Sequence, residues 1–174
     1  MLVKDAAQKA AAKVLEQYWD GTLPVDPVAI AEKLDIDVSF VEFEDPELSG
    51  AITATAGNVK IFLSDKERFE RQLFTCAHEI GHFMERAEAQ DDNYTFKESE
   101  AELQAARGRG WDLHEFYADE FAGNLLMPTP RVKELYEENV SVSEMADIFS
   151  VTRAAIHTRL DRLKRENVLK PRYA

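Results

Sequence analysis

His78-Glu79-Ile80-Gly81-His82 brings together the residue types of a metal-assisted hydrolase. On an α-helix, positions four apart lie on one face, so His78 and His82 can grip a single cation. Neutral imidazoles suit Zn²⁺, and the intervening glutamate can reach a water held by that cation and act as general base. Two of the four histidines in the chain stand in this one spacing. A catalytic zinc takes three protein ligands and leaves a fourth position open. Glu115 and Asp119 offer a second pair four residues apart, among the apolar Leu113, Phe116, Phe121 and Ala122. Buried carboxylates need a cation or donors to offset lost hydration. The metal takes one, and the free N–H of a ligand imidazole donates to the other, which fixes its tautomer. The expected assignment is Glu79 as catalytic base, His78, His82 and Glu115 as metal ligands, and Asp119 orienting His78. Zn²⁺ is the expected cofactor, and Mn²⁺ or Fe²⁺ suit the same N,N,O set.

Three neighbours compete for roles. His114 is a rival ligand or a substrate-binding residue, but it lies about 100° round the helix from Glu115. Tyr117 reads as an oxyanion donor or, more simply, as a core aromatic. Cys76, two residues before His78, reads as a buried thiol.

These residues need helices to hold them. Residues 5–18 are rich in helix formers, and Gly21 supplies a stop. Asp26-Pro27 has the form of an N-cap followed by proline, opening a short helix to about 34. Residues 36–43 alternate like a strand, and 50–56 with 59–63 read as a hairpin around Gly57-Asn58. The expectation is an α+β fold with a small antiparallel sheet of about three strands. Ser64 and Glu67 form a capping box for a helix over 65–84. Its apolar positions Phe69, Leu73, Ala77, Ile80 and Met84 mark a buried stripe. Residues 86–110 turn polar and read as a mobile flap, with 98–106 able to form a helix. A further helix is expected over 112–127, and Pro130 opens another.

The tail, 141–169, reads as helix, turn, helix. Ser141 with Glu144 caps its first helix and Thr152 its second. Met145, Ala146, Phe149, Val151, Ile156, Leu160 and Leu163 form its core. Arg153, Arg159, Arg162, Lys164 and Arg165 lie on the second helix, where they can meet phosphates or bases; otherwise the unit packs on the metal-binding domain or docks on the surface of a repressor. The division expected is residues 1–130 for the metal-binding domain and 131–174 for the helical segment.

The whole chain, 174 residues, carries 21 Lys and Arg against 33 Asp and Glu, a net charge of −12. Residues 1–130 hold 12 against 26, and 131–174 hold 9 against 7. A slightly basic tail on a strongly acidic body is a weak footprint for nucleic acid. No run approaches a membrane span, and the start Met1-Leu2-Val3-Lys4-Asp5 lacks the pattern of a signal peptide. With a single cysteine, a reducing cytoplasm is the expected location.

His78-Glu-Ile-Gly-His82, followed by Glu115-Phe-Tyr-Ala118-Asp119-Glu-Phe121-Ala122 and Leu125-Leu126-Met127-Pro128, resembles the ImmA/IrrE family of metallopeptidases. The likeness spans about residues 20–130, and a helix-turn-helix often follows in that family. The resemblance implies a zincin-like minimal metallopeptidase domain. It implies a cytoplasmic zinc endopeptidase that cuts a helix-turn-helix transcriptional repressor and derepresses phage, mobile-element or stress-response genes. Segment 86–111 departs from compact members, and an end at Ala174 implies no further sensor domain. The alternative reading is a DNA-binding regulator or toxin–antitoxin component that binds a repressor, with a structural or weakly active metal site.

Overall fold

The computed structural model describes residues 1–99 and 112–171. Helix α1 (Val3–Tyr18) buries Ala7, Ala10, Ala11 and Val14, a stripe of small residues at helical spacing. Helix α2 (Pro27–Lys33) starts as its sequence dictates. The Asp26 side chain accepts hydrogen bonds from the backbone N–H groups of Val28 and Ala29, and proline occupies the first turn.

The sheet contains four strands, β1 (Asp37–Val41), β2 (Leu48–Thr55), β3 (Asn58–Ser64) and β4 (Tyr94–Ser99), in the order β1-β3-β2-β4. The β2–β3 hairpin turns at Ala56-Gly57, one residue before the expected position, and both take positive φ as a tight hairpin turn needs. Two expectations are corrected. The sheet is mixed, because β1 pairs parallel to β3 while β2 stands on the far side of β3. The segment read as a flap supplies β4, which pairs antiparallel with β2. Glu98 and Ser99 are strand residues, so no helix starts at Glu98, and the rest of the helix expected over 98–106 lies outside the described residues.

Alternation along the strands then decides what reaches the site. Gly50, Ile52 and Ala54 of β2 stand opposite Leu63, Ile61 and Val59 of β3, and opposite Glu98, Phe96 and Tyr94 of β4. These residues share one face of the sheet, the face on which helix α3 (Phe69–Glu88) packs. Helix α3 starts later than its expected capping box. Its N-cap is Arg68, without a side-chain cap, because Glu67 instead accepts a hydrogen bond from Ser49 Oγ at 3.0 Å. Of its expected stripe, Leu73, Ala77 and Ile80 are buried, while Phe69 lies in the first turn beyond the sheet and is exposed.

Helix α4 (Leu113–Leu126), capped by Asp112, lies between α3 and α1, so it buries residues on most of its sides, Glu120 and Asn124 among them. Helix α5 (Thr129–Glu137) follows. Helices α6 (Val142–Phe149) and α7 (Arg153–Arg165) form the expected helix-turn-helix, with the reciprocal Ser141–Glu144 cap, Thr152 capping α7, and Ser150 in the left-handed region between them. All seven expected core residues of this unit are buried. One apolar cluster runs without a break from Ala7 to Leu169.

Two basic side chains of α7 follow the packing alternative rather than the nucleic-acid one. Arg159 is buried, and its guanidinium donates to Met127 O at 3.1 and 3.2 Å and to Thr129 Oγ1 at 2.8 Å. Burial pulls its pKa down to about 10. Arg162 pairs with Glu120 of α4, which is buried. Two of the five cations thus fasten α7 to the rest of the chain. Arg159→Ala leaves the Met127 carbonyl without its donors, and a loss of roughly 2 kcal/mol in urea denaturation is expected. A loss below ~0.5 kcal/mol would mean that this clamp contributes nothing.

Candidate metal centre

Helix α3 places His78 and His82 on one face, directed at α4, and both are almost fully buried. Glu115, in the first turn of α4, reaches both: Oε2 lies 3.1 Å from His78 Nε2 and Oε1 lies 3.2 Å from His82 Nε2. Donor atoms of His78, His82 and Glu115 all lie within 4.8 Å of one another, the one such group of His, Cys, Asp and Glu found among the described residues. A tetrahedral zinc with bonds of about 2.0–2.1 Å holds its ligand atoms about 3.3 Å apart. The two Glu115–imidazole spacings match that value, and the set as a whole is looser, within 4.8 Å.

Protons tell the same story. His78 Nδ1 lies 2.9 Å from Asp119 Oδ1 and donates to it. On a neutral imidazole this turns the Nε2 lone pair toward the Glu115 carboxylate, a contact that a proton on Nε2 or a cation between them resolves. Burial works against a charged His78, but Glu98, Asp119, Glu115 and Glu79 outweigh it and hold its pKa well above the ordinary value. Burial also works against ionised Glu115, but hydrogen bonds from both imidazoles prevail and pull its pKa down. For His82 burial dominates, and its pKa falls. Metal binding needs neutral imidazoles and an ionised carboxylate: His82 and Glu115 already lean that way, and a cation must displace the proton that the surrounding carboxylates otherwise hold on His78.

Glu79 is completely buried, and neither carboxylate oxygen has a partner among the described residues. Burial drives its pKa well up, and the carboxylates of Glu98 and Glu115 add to this. A buried carboxyl without a partner is costly, and it fits a group that handles a proton.

The other sequence candidates separate. His114 is about half exposed, and its Nδ1 lies 2.8 Å from Glu85 Oε1, outside the cluster of donor atoms. Tyr117 is in the core, with its hydroxyl pushed up by burial. Cys76 is a buried free thiol, also pushed up by burial. Leu113 is exposed, in contrast to the apolar surround expected for it.

Two contributors escaped the sequence reading. Phe96 of β4 stacks on His82 with ring centroids 4.1 Å apart and planes 2° from parallel, which fixes the second imidazole. Its signal was the alternation Tyr94-Thr-Phe96-Lys, apolar at every second position. Gly81 lets the two helices meet: a Cβ there would come 2.9 Å from Ala118 Cα and 3.2 Å from Phe121 Cβ. Backbone cannot swing aside, so Gly81→Ala forces α3 and α4 apart and pulls the histidines away from Glu115. Helix propensity returns about 1 kcal/mol, but overpacking costs more. A net loss of about 1–2 kcal/mol and weaker metal affinity by calorimetry are expected. An unchanged affinity would show that this close approach does not set the site.

A helix bearing two buried histidines, closed by a carboxylate from a second helix and backed by a small mixed sheet, defines an α+β metallopeptidase-type site. The IrrE N-terminal-like domain matches residues 31–161, and the chain belongs to the ImmA/IrrE family. Among solved structures it is similar to a Mycobacterium tuberculosis transcriptional regulator, at 14% identity and a TM-score of 0.54, with 91% of this chain and 46% of that one covered. The chain thus spans just under half of that protein's length. No curated protein sequence matches it.

Proposed function

We propose that this chain is a zinc-dependent endopeptidase whose substrate is a helix-turn-helix transcriptional repressor, cut to derepress phage, mobile-element or stress-response genes. The observation that carries the catalytic part is the convergence of His78, His82 and Glu115 beside the unpartnered carboxylate of Glu79. The substrate class is what the resemblance to the family implies. In this reading residues 1–130 form the peptidase unit and 131–174 a helical unit that contributes to substrate recognition.

When bound at His78, His82 and Glu115, the cation supplies Lewis acidity toward water and the scissile carbonyl. Asp119 holds the His78 ring through Nδ1, and Phe96 holds the His82 ring by stacking. Glu79 takes the proton of the attacking water on a carboxylate oxygen and passes it to the departing amide nitrogen. Its burial keeps bulk water from competing for that proton. Among the described residues no helix is long and apolar enough to cross a membrane. The reduced single cysteine fits action in the cytoplasm, where repressors work.

The test is cleavage of the repressor encoded beside this gene, with fragments read by mass. Metal-loaded protein is expected to yield a discrete pair of fragments that a chelator abolishes. Intact repressor after incubation with protein verified to hold metal would count against it. The DNA-binding alternative expects salt-dependent retention on DNA without scission.

A further inference from the structure

Two grooves meet beside the metal centre, and the helix-turn-helix unit walls both of them. The first, about 440 Å³, runs between α4 and α7, from Glu115 and Asp119 to Ala154, Ala155 and Thr158. The second, about 540 Å³, runs between the start of α3 and the α6–α7 turn. Phe74, Asp119 and Ala155 line both. Asp119 holds His78, and the Phe74 ring lies 6.2 Å from the His78 ring, so the two grooves join beside the cluster of donor atoms. Volumes of this size admit a large side chain with its backbone.

Helix periodicity explains the shape of the far wall. Ile156, Leu160 and Leu163 turn one face of α7 into the core of its own unit. Ala154, Ala155 and Thr158 fall on the adjoining face, which lines the first groove. The long side chains on that face, Arg159 and Arg162, are held on Met127, Thr129 and Glu120, so they brace the wall and leave the groove open. Nucleic acid is a poor fit. The first groove presents Asp112, Glu115 and Asp119, which repel phosphate, and the second sets Arg68, Arg71 and Arg153 among Glu70, Asp119 and Asp147.

We propose that α7 is the substrate-facing wall of the active-site cleft, with Ala155 and Thr158 setting the size of the apolar side chain admitted beside the cleaved bond. The occupant is an extended polypeptide segment lying along the grooves between α7 and the α3–α4 pair. This rests on the metallopeptidase reading above; Glu115 lines the first groove and the second joins it at Asp119, and that continuity selects a peptide as the occupant.

The experiment loads the full chain with Co²⁺ and follows the metal's visible spectrum as two probes are titrated. Acetohydroxamate reaches only the metal, whereas benzyloxycarbonyl-Pro-Leu-hydroxamate also needs the cleft. In Ala155→Trp the peptidyl probe is expected to bind at least about tenfold more weakly, because an added ring overpacks the groove, with acetohydroxamate unchanged within twofold. Thr158→Trp, at an exposed position, repeats the effect if Ala155→Trp folds poorly. His157→Trp, which lines neither groove, leaves both probes as in wild type. Equal peptidyl affinity in wild type, Ala155→Trp and Thr158→Trp overturns the proposal and leaves the metallopeptidase reading standing. No spectral response to acetohydroxamate in metal-loaded wild type overturns that reading and this proposal with it. Loss of low-salt DNA retention in Ala155→Trp, with hydroxamate binding intact, makes α7 a nucleic-acid element instead.

Discussion

Glu79→Gln is expected to hold metal as tightly as wild type and to lose cleavage by about 10²–10⁴-fold, the usual contribution of a positioned general base. The substitution preserves shape and removes the capacity to accept a proton at the one buried carboxylate beside the ligands that lacks a partner among the described residues. It carries a second signature in the metal-free protein. Burial holds the folded-state pKa of Glu79 well above its ordinary 4.5, so the folded state prefers the protonated form. The contribution of Glu79 to stability is then fully present below about 4.5 and is lost as pH rises toward the raised value. Glu79→Gln removes that loss. Its stability relative to metal-free wild type should therefore improve steadily from pH 4 upward, as read by urea denaturation at several pH values. Retained turnover would remove Glu79 from the mechanism. A flat stability difference across pH would show that the carboxyl is not protonated in the fold.

The second large effect separates Glu115 from His114. At a hundredfold excess over its dissociation constant, a cation that binds only the folded state stabilises it by about 2.7 kcal/mol. For a chain of this length that is a rise of about 5–10 °C in the thermal midpoint. Glu115→Ala should abolish most of that rise, because its two oxygens are the atoms that close the site against both imidazoles at 3.1 and 3.2 Å. His114→Ala should keep it, since His114 is spent on Glu85 at the helix surface. Comparing each variant with and without metal cancels any change in the metal-free protein. Equal losses in the two variants would mean that the ligand set includes His114.

How far the site was readable depended on whether its geometry was local. Four-residue spacing on a helix is a local fact, so His78 with His82, and Glu115 with Asp119, could be paired on paper. Caps are local too, and Asp26, Ser141 with Glu144, and Thr152 all behave as their sequence neighbours dictate. Ser64 and Glu67 show the limit. The box was written in the sequence, but Ser49, brought in by β2, took the Glu67 carboxylate. Strand β4 was missed because Tyr94, Phe96 and Glu98 form too short an alternation to stand out beside charged neighbours. Its partner β2 lies some forty residues earlier. Parallel pairing of β1 with β3 was equally out of reach, since alternation shows which residues share a face and not which strand lies alongside.

By itself, then, the sequence determined the chemistry available: two imidazoles and a base on one helix, two carboxylates on another, and a capped helix-turn-helix behind them. These follow from backbone periodicity, which is the same wherever the helix sits. Only the tertiary structure decided which groups meet. Gly81 against Ala118 sets how closely α3 and α4 approach, and so whether Glu115 can reach both histidines. Phe96 arrives on His82 through sheet register. Arg159 and Arg162 turn inward because docking α7 offered them the Met127 carbonyl and Glu120, partners more than thirty residues away. A charged side chain has no preferred partner in the sequence. Packing brings one within reach, and the cost of burying an unpaired charge then selects it.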